Sequence, residues 1–263
     1  MAEYIKSDRD VTYGGDVIFT ADEVVKGIKM ANEALLRLND STKEFDINIF
    51  EVLGMRNLSG LVGEYVGKCL LRVSGGKLSP NLHQDGYPDL LLTNSDETKH
   101  YYNSLYSVKG GKVYPVSKDF FSPYKYGGIE VKANCGNTPS AKKVPKPLIG
   151  EQRVSLITGF DWKTHHRHTN HLMAILWDFI DENPTIVAAF YHDGLVEDDW
   201  GRLIEPKEEG GRTTSVSIMR SVGVKKMCRN WIAVIDDDAY IDKLSNKRWI
   251  GYRVGRERNL SLF

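Results

Sequence analysis

Apolar residues recur at helical spacing in two segments of the first third of the chain. The first runs from Asp22 to Leu36, and the second covers about four turns from Leu58 to Val73. In the second segment three glycines, Gly60, Gly63 and Gly67, fall together on the side opposite the apolar face. Each glycine inside a helix is about 1 kcal/mol less favourable than alanine. We therefore expect a partner helix or a nucleic-acid backbone to approach that face closely.

Short apolar runs and period-two alternation predict strands in the remainder of the chain. In the segment from Gly127 to Asn134, the alternation puts Glu130 and Lys132 on one face and apolar side chains on the other. The polar, tyrosine-rich residues 94 to 126, which contain Gly110-Gly111 and two prolines, are expected to form a long excursion that includes a hairpin. The predicted strands are Lys77–Leu82, Pro88–Thr93, Gly127–Asn134, Thr185–Tyr191, Thr213–Val222 and Trp231–Ile235.

A further amphipathic helix is predicted from Thr164 to Phe179, ended by Asn183-Pro184. Its apolar stripe would contain His165, His168 and Leu172. The predicted order from Leu58 to Tyr191 is then helix, three strands, helix and strand. This order indicates an α/β fold.

Composition narrows the class of protein. The chain has 263 residues, of which 41% are hydrophobic and 27% charged, and this is typical of a soluble globular protein with one large domain. Because 35 basic residues balance 35 acidic ones, any nucleic-acid binding must come from a locally basic face.

The sequence contains no apolar run long enough to span a bilayer, and its start lacks the apolar run of a secretory signal, so we expect a cytoplasmic protein without membrane contact. The three cysteines have no paired spacing and are expected to be reduced thiols.

Three residues on two predicted strands could form a hydrolytic metal site. Asp89 opens one strand, while Glu130 and Lys132 stand two positions apart on the next predicted sheet strand. Two carboxylates suit Mg²⁺, which fills its other positions with water and phosphate oxygens. Such an ion polarises a phosphate and lowers the pKa of an attacking water. Lys132 could orient or deprotonate that water, or neutralise charge that builds up on the phosphate.

These residues resemble the PD-(D/E)xK motif of the restriction-endonuclease-like nucleases, through Pro88-Asp89 and Glu130-Val131-Lys132. The resemblance implies an α/β fold whose αβββαβ core, over about residues 58–191, has a mixed central sheet flanked by helices. It also implies a helical addition at 1–57 and a strand-rich addition at 192–263, all in one nuclease domain. It also implies that Asp89 and Glu130 bind metal, that Lys132 is catalytic, and that Glu64 on the preceding helix assists metal binding. Asp85 is a rival for Asp89. The interval between the two acids requires an insertion between the strands.

Within that superfamily the chain looks most like an orthodox Type II restriction endonuclease. This implies Mg²⁺-dependent, sequence-specific cleavage of double-stranded DNA by a homodimer whose symmetry matches a palindromic site. No GxxxxGK[ST] loop occurs, so no nucleotide cofactor is expected. Two alternatives remain: a structure-selective repair or junction nuclease of the same fold, and a non-catalytic binding protein with a coincidental motif.

Basic residues in two segments are candidates for DNA contact, because lysine holds phosphates and arginine or asparagine reads bases. The first group is Lys142, Lys143, Lys146, Arg153, Lys163 and Arg167, and the second is Arg212, Arg220, Lys225, Lys226, Arg229 and Asn230. His166, Arg167 and Asn170 would line the start of the predicted helix, where backbone N–H groups can meet a phosphate. The histidine cluster from His165 to His171 invites a zinc site, but it lacks a cysteine or carboxylate partner at ligand spacing.

Overall fold

The computed structural model describes residues 2–83, 86–115, 127–140, 142–165, 167–206 and 215–245. Within these residues the chain forms thirteen strands and five α-helices. In chain order they are β1 (Tyr4–Lys6), β2 (Val11–Tyr13), β3 (Asp16–Phe19), α1 (Ala21–Lys43), α2 (Ile49–Val73), β4 (Leu78–Pro80), β5 (Leu90–Leu92), α3 (Asp96–Ser104), β6 (Tyr106–Lys109), β7 (Lys112–Pro115), β8 (Gly128–Asn134), β9 (Lys163–Thr164), β10 (Leu172–Ile180), β11 (Asn183–His192), β12 (Ser217–Ile218), α4 (Ser221–Arg229), β13 (Trp231–Ile235) and α5 (Asp238–Ser245).

A seven-stranded mixed sheet, in the order β1-β13-β11-β10-β8-β5-β4, organises the fold. Strands β4, β5 and β8 form an antiparallel meander, and β10 then lies parallel to β8. Strands β11, β13 and β1 continue the sheet with antiparallel pairing. The register sets Glu130 beside Leu172 and Lys132 beside Ala174, so both charged residues lie in the middle of the sheet.

Helices α1 and α2 cover one face of the sheet. The side chain of Thr20 caps α1 by accepting a hydrogen bond from the backbone N–H of Glu23, and the Glu23 carboxylate reciprocates. Gly54 interrupts the helical dihedral angles of α2 with a φ of 65°. Buried apolar side chains of both helices pack on the sheet residues Ile129 and Met173. Across the described parts of the chain, no helix combines the length and the apolar character that crossing a bilayer requires.

The helix predicted from Thr164 to Phe179 is wrong. Residues 163–164 form the short strand β9, and Leu172–Ile180 form β10, which is buried along almost its whole length. A strand covered on both faces is apolar at every position, so its pattern also fits a helical period. The predicted helix and three strands are found in α2, β4, β5 and β8. Among the described residues between β8 and β10, the second core helix is absent.

The additions predicted at residues 1–57 and 192–263 each contribute a strand, β1 and β13, to the central sheet. The N-terminal part is not only helical, because β1 pairs with β13. Helix α2 begins at Ile49 rather than Leu58, and α3 was not predicted. The hairpin expected within residues 94–126 is confirmed as β6–β7, with its turn at Gly110-Gly111. The C-terminal part contains α4 and α5; of the strand predicted over 213–222, residues 213 and 214 lie outside the described residues, and only β12 is strand.

Candidate active site

Asp89, Glu130 and Lys132 meet where β5 pairs with β8. Asp89 directly precedes β5, whose Leu90 lies opposite Ile129 in β8. The Lys132 ammonium lies 2.6 Å from Oε1 of Glu130 and 3.3 Å from Oδ2 of Asp89. The structure therefore brings together the three side chains that the sequence singled out, with the ammonium between the two carboxylates.

Backbone hydrogen bonds hold both carboxylates in place. The backbone N–H of Asp89 donates to Oε2 of Glu130 at 3.2 Å, and the backbone N–H of Val131 donates to Oδ2 of Asp89 at 2.8 Å. The side chain of Asp89 is 35% exposed, whereas that of Glu130 is fully buried. Asp89 Oδ1 has no hydrogen bond to any residue that the structure describes, so this oxygen is available to a ligand.

Burial gives Glu130 an unusual protonation equilibrium. It raises the pKa of this carboxyl to about 7, although the neighbouring Lys132 ammonium opposes the rise. Burial also acts to lower the pKa of Lys132, but the charges of Glu130 and Asp89 outweigh it and raise that pKa above its ordinary value. Oε1 of Glu130 is buried, and its partner is the Lys132 ammonium at 2.6 Å.

A cavity of about 390 Å³ opens above these residues, between α2 and strands β5 and β8. We call it the Asp89 cleft; Asp89 and Lys132 line one side, and the glycine stripe lines the other. A Cβ at Gly60 would have nothing within 4 Å, and a Cβ at Gly63 would lie 3.8 Å from that of Ala133. Strand β8 thus approaches the helix at ordinary contact distance. The absence of side chains on the stripe keeps the cleft wide.

Glu64 lies in the same cleft but outside the contact group. It is exposed on α2, and it has no hydrogen bond or ion pair with the residues that the structure describes. Those residues contain no group of three His, Cys, Asp or Glu side chains that could hold a metal ion. The protein ligands brought together are therefore two carboxylates, Asp89 and Glu130. Asp85 lies outside the described residues.

The chemistry of this cluster follows from its own side chains. No family model, curated protein or solved structure matches this chain. Asp89 and Lys132 line the cleft with side chains that are 35% and 24% exposed, and Glu130 is buried behind Lys132. Two carboxylates and an ammonium in this arrangement are groups that bind a hard cation and an anionic substrate.

The first group of predicted DNA-binding residues is scattered in the structure. Lys142, Lys143 and Lys146 are exposed on the connection after β8. Arg153 is instead buried and its guanidinium donates to the carbonyl of Pro147, so it does not lie on a surface that DNA could contact. Lys163 is exposed beside Asp161, with their charged atoms 3.1 Å apart.

The anion site predicted at a helix start near residue 166 is wrong, because the described residues around it form β9 and irregular structure. The Arg167 guanidinium pairs with the Glu197 carboxylate at 3.4 Å and donates to its carbonyl. Asn170 is exposed and its side chain contacts His171. His166 lies outside the described residues.

The second basic group belongs mainly to α4 rather than to a loop. Lys226 pairs with the buried Asp199 at 2.8 Å, and Asn230 accepts a hydrogen bond from Arg9. Both residues thus have internal partners. Arg220, which precedes α4, and Arg229 are exposed, Lys225 is half-buried, and Arg212 lies outside the described residues.

Three polar residues that line the cavities near Lys132 were not singled out from the sequence. Lys68 lines the Asp89 cleft one turn after Glu64, and His83 lines it from the segment after β4. Arg56 is exposed on α2 near the same strand pair. For Lys68, a signal existed in the sequence: Glu64 and Lys68 stand four apart along the glycine stripe, and therefore on one face of the helix. No comparable signal marked Arg56 or His83.

Proposed function

We propose that the protein is a Mg²⁺-dependent endonuclease that cuts double-stranded DNA, as Type II restriction endonucleases do. One observation carries the proposal: the ammonium of Lys132 contacts the carboxylates of both Asp89 and Glu130 beside an open cleft. This combination supplies ligands for a hard cation and a positive charge for a phosphate. The protein would act in the cytoplasm.

The donor set fits Mg²⁺. This ion is commonly held by one or two carboxylates, with waters and substrate phosphate oxygens completing the coordination. Asp89 offers a carboxylate that is 35% exposed, and Glu130 offers a buried carboxylate whose partners are the Lys132 ammonium and the backbone N–H of Asp89. Glu64, on the opposite wall of the cleft, is able to contribute through a water. When bound, the ion would polarise the scissile phosphate and make a bound water more acidic.

The chain's own residues would position the reacting groups. Asp89 and Glu130 are fixed by the β5–β8 pairing, and so do not need to reorganise when a substrate arrives. The raised pKa of Lys132 keeps its side chain protonated at neutral pH. Lys132 would therefore act as a cation, and its ammonium would turn from the carboxylates to the phosphate or to the attacking water. The glycine stripe would leave room for the sugar-phosphate backbone.

Exposed basic elements near the cleft support a DNA substrate. The β6–β7 hairpin lies in the chain between Asp89 and Glu130, and its residues Tyr106–Pro115 include Lys109 and Lys112 but no acidic residue. The hydroxyl of Tyr106 accepts a hydrogen bond from the backbone N–H of Leu82, one residue before the cleft residue His83. A two-stranded ribbon of this kind fits the major groove of B-DNA. A homodimer would present two such ribbons and two cleavage centres to a palindromic site.

Plasmid digestion tests the proposal. Purified protein with Mg²⁺ should cut plasmid DNA into discrete fragments, and EDTA should stop the cutting. Asp89→Ala and Lys132→Ala should abolish cleavage while DNA binding is largely kept. A smear instead of discrete fragments would contradict sequence specificity, and digestion of branched DNA alone would favour a junction nuclease. Continued cutting by both variants, or no cutting of any nucleic acid, would reject the assignment.

A further inference from the structure

A second cavity adjoins the Asp89 cleft on the other side of Lys132. It has a volume of about 540 Å³, and we call it the Arg56 cavity. Ser59, Lys132 and Ala133 line both cavities, so the two form neighbouring parts of one surface groove. The proposed catalytic lysine therefore stands between two spaces rather than at the end of one.

The Arg56 cavity is lined by an excess of groups that bind anions. Arg56 is exposed and has no hydrogen bond or ion pair with any residue in the described part of the chain. Lys163 contributes a second cation, although Asp161 partly offsets its charge at 3.1 Å. His165 adds a ring whose Nδ1 contacts the carbonyl of Ser215 at 3.2 Å. Asp161 is the one acidic residue among the described residues that line this cavity.

The local backbone adds to this positive character. Gly54 departs from helical geometry, so the regular helix of α2 restarts at Met55 with Arg56 in its first turn. The positive end of a helix dipole lies at this N-terminal turn. Met55, Arg56 and Ser59, which all come from that turn and the next, line the cavity.

We propose that the Arg56 cavity binds a backbone phosphate next to the scissile one, with Arg56 and Lys163 as its ligands. The inference rests on the proposed function, because it takes the scissile phosphate to lie at Asp89, Glu130 and Lys132. A small phosphate ester would fill the Asp89 cleft alone. A groove that continues past the reacting centre, with an unpaired arginine and a second cation in Lys163, is instead suited to a polymer of phosphodiesters, in which each phosphate is followed by another.

The salt dependence of DNA binding tests this assignment. For duplex DNA, log K falls with log salt by about 0.9 for each phosphate that the protein neutralises. We would measure binding of a labelled random-sequence duplex by fluorescence anisotropy over a range of salt concentrations, with Ca²⁺ in place of Mg²⁺. Arg56→Ala should reduce the slope by about 1, and the double variant Arg56→Ala, Lys163→Ala should reduce it by about 2. Arg72→Ala is the matched control, since Arg72 is exposed on the same helix but lines neither cavity.

The outcomes separate this inference from the proposed function. Slopes equal to wild type in both Arg56 variants, or an equal decrease in Arg72→Ala, would overturn the phosphate site. If Asp89→Ala still abolished plasmid cleavage in that case, the endonuclease proposal would stand without it. A wild-type protein that bound no duplex would overturn both. Denaturant unfolding of each variant shows whether a changed slope reflects lost contacts or a lost fold.

Discussion

Asp89 and Glu130 are joined by a hydrogen bond from the backbone N–H of Asp89 to Oε2 of Glu130, at 3.2 Å. Val131, the neighbour of Glu130, returns a hydrogen bond to the Asp89 carboxylate at 2.8 Å. The two acids are therefore linked through the backbones of adjacent strands and not only through Lys132. These hydrogen bonds fix the separation of the two acids before any ligand binds. The cluster therefore contributes to the stability of the β5–β8 pairing as well as to the proposed chemistry.

Replacement of Lys132 should show how much the cluster contributes to the stability of the protein. Lys132→Met leaves the buried Glu130 carboxylate without a cation, and such a loss typically destabilises a protein by about 3 kcal/mol or more. We expect denaturant unfolding above neutral pH to show this decrease. The double variant Lys132→Met, Glu130→Gln removes both charges and should recover most of the lost free energy of unfolding. No recovery would mean that the two side chains are not coupled.

The same variants should behave differently in catalysis. Lys132→Met should reduce the rate of plasmid cleavage by about 10²- to 10³-fold, which is the usual cost of removing one group that stabilises charge in the transition state. The double variant should remain inactive although its stability is restored. Initial rates at saturating Mg²⁺ provide the measurement, and activity that returned together with stability would show that Lys132 has a structural role alone.

Two glycines near the cleft should respond in opposite ways to alanine. Gly60→Ala should raise the free energy of unfolding by up to about 1 kcal/mol, because a Cβ there meets nothing within 4 Å and the residue lies inside α2. Gly128→Ala should lower it by about 1 to 3 kcal/mol from backbone strain alone, since its φ is +152°. The new Cβ would also come within 2.2 Å of the Leu90 carbonyl oxygen. Equal effects in the two variants would contradict the described packing of β5 on β8.

Asp178 should make stability depend on pH in the acidic range. Burial raises the pKa of this carboxyl from 3.8 to about 6, although hydrogen bonds from the backbones of Phe179 and Arg153 oppose the rise. The native state therefore holds a proton that the unfolded chain releases, so the stabilisation is complete below pH 3.8 and is lost as pH rises to about 6. The slope contributed by one group is at most about 1.4 kcal/mol per pH unit.

The variant Asp178→Asn isolates this contribution. Unfolding free energies of wild type and variant, measured across the acidic range, should differ by an amount that changes with pH between about 3.8 and 6 and is constant above pH 6. A difference between wild type and Asp178→Asn that did not vary with pH would contradict the raised pKa.

The sequence predicted elements well wherever one face of an element is polar. Helix α1 and strand β8 have one apolar and one polar side, and both occur where their period placed them. For the segment that forms β10, the sequence predicted a helix, because Leu172, Ile175 and Phe179 fit a helical stripe. In the structure the residues between them are buried as well. A single sequence does not show what covers an element, and burial on both faces removes the period that separates strand from helix.

The site was predictable to the extent that it depends on neighbouring strands. Asp89, Glu130 and Lys132 stand on segments with clear strand signals, and pairing of β5 with β8 was enough to bring them together. Arg56 and His83 were missed because irregular backbone positions them. Arg56 follows the break in α2 at Gly54, and His83 lies in the irregular segment after β4. The wrong helix over 164–179 likewise misplaced Arg167 and Asn170.

Divalent-ion binding tests the central claim most directly, because it depends on neither the recognition sequence nor the oligomeric state. Mn²⁺ accepts the same oxygen ligands as Mg²⁺ and can be followed by its paramagnetic resonance. Titration of wild type should reveal a bound ion that Mg²⁺ displaces, and Asp89→Asn and Glu130→Gln should each weaken its binding strongly. If both variants bound Mn²⁺ as tightly as wild type, the ion would lie elsewhere and the proposed catalytic site would be wrong.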